Sequence, residues 1–261
     1  MSRWHLIVAA LSVFAPPVSA EVAPDAWRIA IIIDDLGYGL AAGERALNLP
    51  GPVSYAVLPA TPWARALAEI AHERGKEVLL HLPLQSVGGE PADEPGLLAL
   101  DMTRLQFAHA FAANFKSVPH AAGINSHRGS LLTRHPGHMA WLMEEIKNRG
   151  GLYFVDSFTT HASVALRLAQ EAGVAAVKRD VFLDPDHAPG TLEREFERLK
   201  KLARQRGFAV GIGHPHPATL DLLEQQLPGL PDEGFELVGI GDYIALRQQT
   251  RSAATVAGPV E

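Results

Sequence analysis

The chain reads as an α/β protein whose strands curl into a distorted (β/α) barrel of seven or eight strands. Apolar, β-branched runs alternate with amphipathic helical patterns from about residue 28 to about residue 249. Strands separated by helices make the sheet parallel. A polar group able to do chemistry follows nearly every run, and a barrel gathers all strand ends on one face, whereas an open sheet collects only those beside its switch point.

Taken in order, residues 1–20 begin with the cationic Met1-Ser2-Arg3-Trp4-His5, continue with an apolar run from Leu6 to Ala15 and end in Val18-Ser19-Ala20. That is the pattern of a secretory signal peptide cut after Ala20, and it predicts a periplasmic or secreted protein with no stable membrane insertion after cleavage. A lead segment follows over residues 21–27, then the barrel domain over 28–249 and a flexible tail over 250–261. The strand-like runs are Arg28–Ile33, Val53–Leu58, Glu77–Leu82, Ala121–Asn125, Leu152–Val155, Ala175–Phe182 with a polar interruption, Phe208–Ile212 and Glu236–Ile240. Helix signals lie between them: Thr61-Pro62 as cap and first residue, Thr103 ahead of Phe107, Phe111 and Phe115, His135-Pro136 ahead of Met139 and Leu142, and Thr191 ahead of Phe196 and Leu199. The stretch from Gln85 to Leu100 lacks any period and is expected either to rim the mouth or to be a tolerated insertion.

Composition narrows the chemistry. The 261 residues contain no cysteine, which excludes disulfides, thiolate metal sites and a cysteine nucleophile. Losing Arg3 with the signal peptide leaves 22 basic against 29 acidic residues, a formal charge of −7, with no basic stripe for nucleic acid. No Gly-x-Ser-x-Gly elbow, phosphate-binding loop or complete dinucleotide fingerprint is present. A metal site must therefore come from Asp, Glu and the twelve histidines.

The candidate groups lie at run ends: Asp34 and Asp35, His81, Asn125 and His127, Asp156, Asp184, His214 and His216, and Asp242. Adjacent strand carboxylates point to opposite sides, so Asp34 and Asp35 are expected to divide labour, one binding a cation and the other handling a proton. An Asp-Asp pair alone also fits an acidic turn, and a lone strand histidine also fits a hydrogen-bonded core residue. Taken together, the set suits a divalent metal with nitrogen and oxygen ligands, zinc first and other divalent ions after it.

Five ordered segments then carry a resemblance: Ile31-Ile-Ile-Asp34-Asp35-Leu-Gly37, Leu80-His81-Leu-Pro83-Leu84, Gly123-Ile-Asn125-Ser-His127-Arg128-Gly-Ser130, Phe154-Val-Asp156-Ser157-Phe-Thr159 and Gly213-His214-Pro-His216-Pro217. The chain resembles the divergent polysaccharide deacetylases, a branch of the NodB-like carbohydrate esterases. The resemblance implies a NodB-like barrel, a zinc-dependent site and hydrolysis of N-acetyl groups on an amino-sugar polymer or cell-envelope glycan. It makes Asp34 the general base, Asp35, His81 and His127 the metal ligands, and His214 the donor to the leaving amine. Asn125, Arg128, Asp156 and His216 are expected to bind substrate or support these groups, Asp156 by orienting a histidine or by capping its loop. The chain departs from the NodB pattern at Gln85, where a second histidine is expected, so the third ligand is open among His127, His214 and His216. A non-catalytic glycan-binding or envelope-assembly protein and an amidase acting on cell-wall peptide are the alternatives.

Overall fold

The computed structural model describes residues 26–89, 94–186 and 188–256, with side chains through Gln248. The expected signal peptide and most of the lead segment lie outside these residues. Among the described residues, strands β1 (Trp27–Leu36), β2 (Ser54–Val57), β3 (Glu77–Leu84), β4 (Ala121–Arg128), β5 (Tyr153–Asp156), β6 (Ala176–Lys178), β7 (Val181–Phe182), β8 (Phe208–Gly213) and β9 (Phe235–Leu237) form one parallel sheet. Helices α1 (Leu40–Leu47), α2 (Ala64–Glu73), α3 (Arg104–Ser117), α4 (Pro136–Arg149), α5 (Ala165–Ala172), α6 (Thr191–Arg206), α7 (Pro217–Gln226) and α8 (Ile240–Val256) connect and follow them.

The strand order is β6-β5-β4-β3-β2-β1-β8-β7, with β9 added beside the start of β1. The two ends of this order, β6 and β7, belong to one continuous segment. Its polar interruption, Lys178-Arg179-Asp180, is where the chain changes partner: the Arg179 N–H donates to the Asp156 carbonyl on one side and the Asp180 N–H to that of Val210 on the other. The sheet thus curls into an incomplete barrel bridged by a single segment, as the position of the strand-end polar groups predicted.

Alternation along β1 sets the layers. Ile29, Ile31 and Ile33 pack outward with the helices, while Ala30 and Ile32 face the barrel interior with Leu79, Tyr153, Val155, Val210 and Ile212. The Tyr153 ring fills the space over Gly123, where a Cβ would strike it. Thr103 opens α3 as expected, forming a capping box with Gln106, and Phe107 and Phe111 are fully buried on its inner face.

Three expectations change. Helix α2 starts at Ala64 rather than at Pro62, because Thr61 uses its hydroxyl on the Leu58 carbonyl instead of capping. The last run stops at Leu237, and Ile240 already belongs to α8, so Asp242 sits in a helical first turn next to Glu77 at the N-terminal end of the strands, away from Asp34. Helix α8 reaches Val256, into the stretch expected as a tail. No helix of the described residues is long and apolar enough to cross a membrane.

Candidate active site

At the C-terminal ends of β1, β3, β4 and β8 the strand-end groups converge. The backbone does something at Asp34-Asp35 that simple strand alternation does not. Pairing with β2 slips by one residue between Ile33 and Leu36, and Asp35 takes a left-handed backbone with φ of 60°. The extra residue brings both carboxylates to the same imidazole, with Asp35 Oδ1 3.1 Å and Asp34 Oδ2 3.6 Å from His81 Nε2. The expectation of opposite sides is thereby corrected. Arg128 and Phe158, beside the same rim, also have positive φ of 54° and 50°, a clustering of strained non-glycine residues typical of functional sites.

Asn125 orients the centre. It is fully buried, and its amide nitrogen donates to Asp34 Oδ1 at 2.7 Å, so its oxygen accepts from His81 Nδ1 at 2.7 Å. That bond fixes the ring with Nε2 turned toward Asp35. His127 Nδ1 completes a triangle, 2.9 Å from Asp35 Oδ1 and 3.2 Å from His81 Nε2. Asp35 Oδ1 is buried and has no hydrogen-bond partner among the described residues.

Asp35 Oδ1, His81 Nε2 and His127 Nδ1 lie at the spacing of ligand atoms around one ion. A tetrahedral ion with bonds of ~2.0–2.1 Å spaces its ligands ~3.3 Å apart, near the observed edges. Asp35, His81 and His127 therefore fit a divalent cation. A second trio, Asp184, His214 and His216, also brings its ligand atoms within 4.8 Å of one another. Its carboxylate is already engaged, accepting from His214 Nδ1 at 2.9 Å, the His214 N–H at 2.7 Å and Thr219 Oγ1 at 2.8 Å.

Electrostatics follow this geometry. Burial raises the pKa of the almost inaccessible Asp34, and the nearby imidazoles of His81 and His214 only partly oppose it. Burial would likewise raise Asp35, but the His127 and His81 imidazoles outweigh it and hold that carboxyl far below the ordinary range. His81 would be depressed by burial, yet the two carboxylates bring its pKa up to about 9. Burial also works against charge on His214; the hydrogen bond to Asp184 overrides it and raises the pKa. His214 Nε2 then faces Asp35 Oδ2 at 3.7 Å.

Asp34, Asp35, His81, His127, Arg128 and His214 thus share one cavity of about 210 Å³. His216 is at its edge as the exposed N-cap of α7, with its ring 5.7 Å from that of His214. Asp156 takes the other expected role: its oxygens accept from the Phe158 and Leu166 N–H groups and the Ser163 hydroxyl, capping the loop and the start of α5 rather than orienting a histidine. Asp184 orients His214 instead. Sequence reading placed Asp184 among the strand-end groups but gave it no role, because its partner lies 30 residues away.

Gln85 is also outside the centre, its side chain accepting from the Leu100 N–H across the aperiodic loop. That loop does rim the site. It returns through the Leu84–Leu98 bridge and sets Glu94 Oε1 3.7 Å from His127 Nε2, with Arg128 Nε 3.2 Å from the same nitrogen. Neither Glu94 nor Arg179, which lines the cavity, stood out in the sequence, since one sits in a patternless loop and the other in a strand interruption.

Comparison with known proteins meets this geometry directly: the family model described as divergent polysaccharide deacetylase matches residues 31–244. The chain belongs to the divergent polysaccharide deacetylase family. Protein YibQ of Escherichia coli K12, described as uncharacterized, is 38% identical over 228 residues, covering 87% of this chain and 69% of its own. Among solved structures, the uncharacterized ATU2773 from Agrobacterium tumefaciens C58 matches with a TM-score of 0.79 at 20% identity over 84% of this chain and 89% of its own. The catalytic domain of a peptidoglycan N-acetylglucosamine deacetylase from Eubacterium rectale matches at 0.51 with 16% identity, over 84% and 90%. BA3943 of Bacillus anthracis, titled a CE4 family pseudoenzyme, matches at 0.52 with 11% identity, over 85% and 66%. At these identities the structures share with this chain the curled parallel (β/α) barrel, the NodB-like fold.

Proposed function

We propose that the protein is a metal-dependent hydrolase that removes N-acetyl groups from an amino-sugar polymer or cell-envelope glycan, with zinc as the preferred ion. The observation that carries this reading is the triangle of Asp35 Oδ1, His81 Nε2 and His127 Nδ1 beside a buried, raised-pKa Asp34 and an Asp184-supported His214. A divalent cation held by the triad supplies Lewis-acid polarisation of the amide carbonyl and lowers the pKa of water from near 16 toward ~7.

The chain's own residues do the rest. Asp34, kept by burial above the ordinary carboxylate range, is a stronger base than a solvated aspartate and accepts the proton of the attacking water. Asn125 holds its other oxygen so that the base cannot rotate away. His214, charged through Asp184, donates from Nε2 to the departing amine, whose expulsion is otherwise the difficult step. The signal-peptide pattern of residues 1–20 supports an envelope glycan as substrate and a periplasmic or secreted location.

Because a fold-sharing neighbour is a pseudoenzyme, the decisive experiment is acetate release from N-acetylated chitooligosaccharide and peptidoglycan fragments by the zinc-loaded protein, wild type against Asp34→Asn. The expected result is release by wild type and a loss of about 10²–10⁴-fold in the variant at unchanged zinc content. Full release by Asp34→Asn would remove Asp34 as the base. No release from the zinc-loaded wild type would leave a glycan-binding role, and release of amino acids instead would mark an amidase.

A further inference from the structure

One cation in the candidate site's cavity has no ion-pair partner among the described residues. The guanidinium of Arg179 lines the cavity with Asp34 and His214, is largely buried, and forms no ion pair among the described residues. Burial depresses its pKa from the ordinary arginine value. The carboxylates acting on it through space, Asp34, Asp156 and Asp180, are each engaged elsewhere. Asp34 accepts from Asn125, Asp156 from the α5 cap, and Asp180 from the Val210 N–H and Arg206.

The group is also rigid. Nε donates to the Ser157 carbonyl at 2.6 Å and Nη2 to that of Phe158 at 3.1 Å, while the plane lies 4.8 Å from the Phe182 ring. A guanidinium has five N–H donors in a planar fork, so donors remain after these two bonds. Ser157, whose carbonyl Nε holds, lines the same cavity, is 4% exposed as a residue, and its hydroxyl has no hydrogen-bond partner among the described residues. A preorganised fork and an unspent hydroxyl lining one cavity match the two oxygens of a carboxylate.

We propose that Arg179 and Ser157 form a carboxylate-binding subsite, so that the favoured glycan carries a carboxylate within about one sugar of the acetamide. The placement rests on the deacetylase reading, since it is the shared cavity with Asp34 and His214 that sets this distance. The carboxylate can come from an ether-linked lactyl group on the amino sugar itself or from a neighbouring uronic acid.

The test is equilibrium binding to the zinc-loaded full chain by calorimetry, with two N-acetylhexosamine disaccharides, one lactyl-bearing and one uronate-bearing, each as free acid and as methyl ester. In the wild type the better acid binds about 10–100-fold tighter than its ester, the range of a charge-assisted hydrogen-bonded pair, and which acid wins identifies the source. In Arg179→Gln the acid-to-ester ratio falls to about one. Arg179→Lys, which retains charge but not the fork, gives an intermediate ratio and keeps the comparison available if the glutamine variant does not fold. Equal binding of acid and ester by the wild type, or a ratio that survives in Arg179→Gln, overturns the subsite, as does failure of all four ligands to bind. Absence of acetate release with the ratio intact would instead defeat the deacetylase reading and leave the subsite standing.

Discussion

The two ends of the barrel bury acidic side chains in opposite ways. At the N-terminal end, Glu77 Oε2 accepts from Ser54 Oγ at 2.6 Å and the Ile240 N–H at 3.0 Å, while Oε1 accepts from the Gly241 N–H at 3.0 Å. Donors surround this carboxylate, and they include the free N–H groups at the start of α8, where negative charge is favoured. At the C-terminal end, Asp35 Oδ1 has the imidazole nitrogens of His127 and His81 2.9 and 3.1 Å away and no hydrogen-bond partner among the described residues. A satisfied carboxylate stabilises the fold, whereas an unsatisfied one among imidazoles is an electrostatic demand that a cation meets.

The sharpest break of this contrast is on the mouth side. His81→Ala is expected to lower zinc affinity at least ~10²-fold, since even groups that only support ligands cost 10–100-fold, and Asn125→Ala is expected to fall in that lower range. Competition with a chelating dye measures both. Equal zinc binding by His81→Ala and wild type would remove the triad.

Next comes the acid. Asp184 raises the pKa of His214, so Asp184→Asn lowers it. Donation to the leaving amine needs charged His214, and the alkaline limb of kcat/KM therefore moves to lower pH while the acidic limb, set by Asp34, stays. An unmoved alkaline limb would assign the acid elsewhere.

At the floor, Glu77→Gln is expected to cost about 2 kcal/mol by leaving buried donors short of acceptors, a fall in Tm of ~4–8 °C for a domain of this size. Zinc affinity is expected to stay at the wild-type value. A parallel loss of zinc would show that the two ends are coupled.

The smallest effect is a pH dependence of the metal-free protein. His81 has its folded pKa raised to about 9 from an ordinary 6.5, so its contribution is full below 6.5 and is lost as pH rises through 9. Tm of the chelated protein should fall between those values, and zinc should flatten the fall, because the ion replaces the proton. A chelated protein whose Tm rises across this window would contradict the pairing.

Much of the fold was legible because periodicity is local. The apolar run Arg28–Ile33, the Phe107-Phe111 spacing and the helix start at Thr103 depend on neighbours a few residues apart, and each appears where it was expected. The α2 start differs because the Thr61 hydroxyl donates to the Leu58 carbonyl three residues back, a local competitor to capping that the Thr-Pro pattern does not reveal. Shorter α1, α5 and α7 had no distinct signal and are held by packing on the strands.

The sequence by itself determined the chemistry available: no thiolates, a histidine- and aspartate-rich set of strand ends, and a parallel sheet that delivers them to one rim. Tertiary structure alone decided which members meet. The bulge and left-handed turn at Asp35 moved both carboxylates onto His81, and distance in sequence hid the pairing of Asp184 with His214. It also turned Asp156 outward into a cap and brought Arg179 into the cavity where β6 gives way to β7. The physical reason is common to all four: a side chain's type is carried by one residue, but the direction it points and the partners it satisfies are set by backbone angles and strands far along the chain.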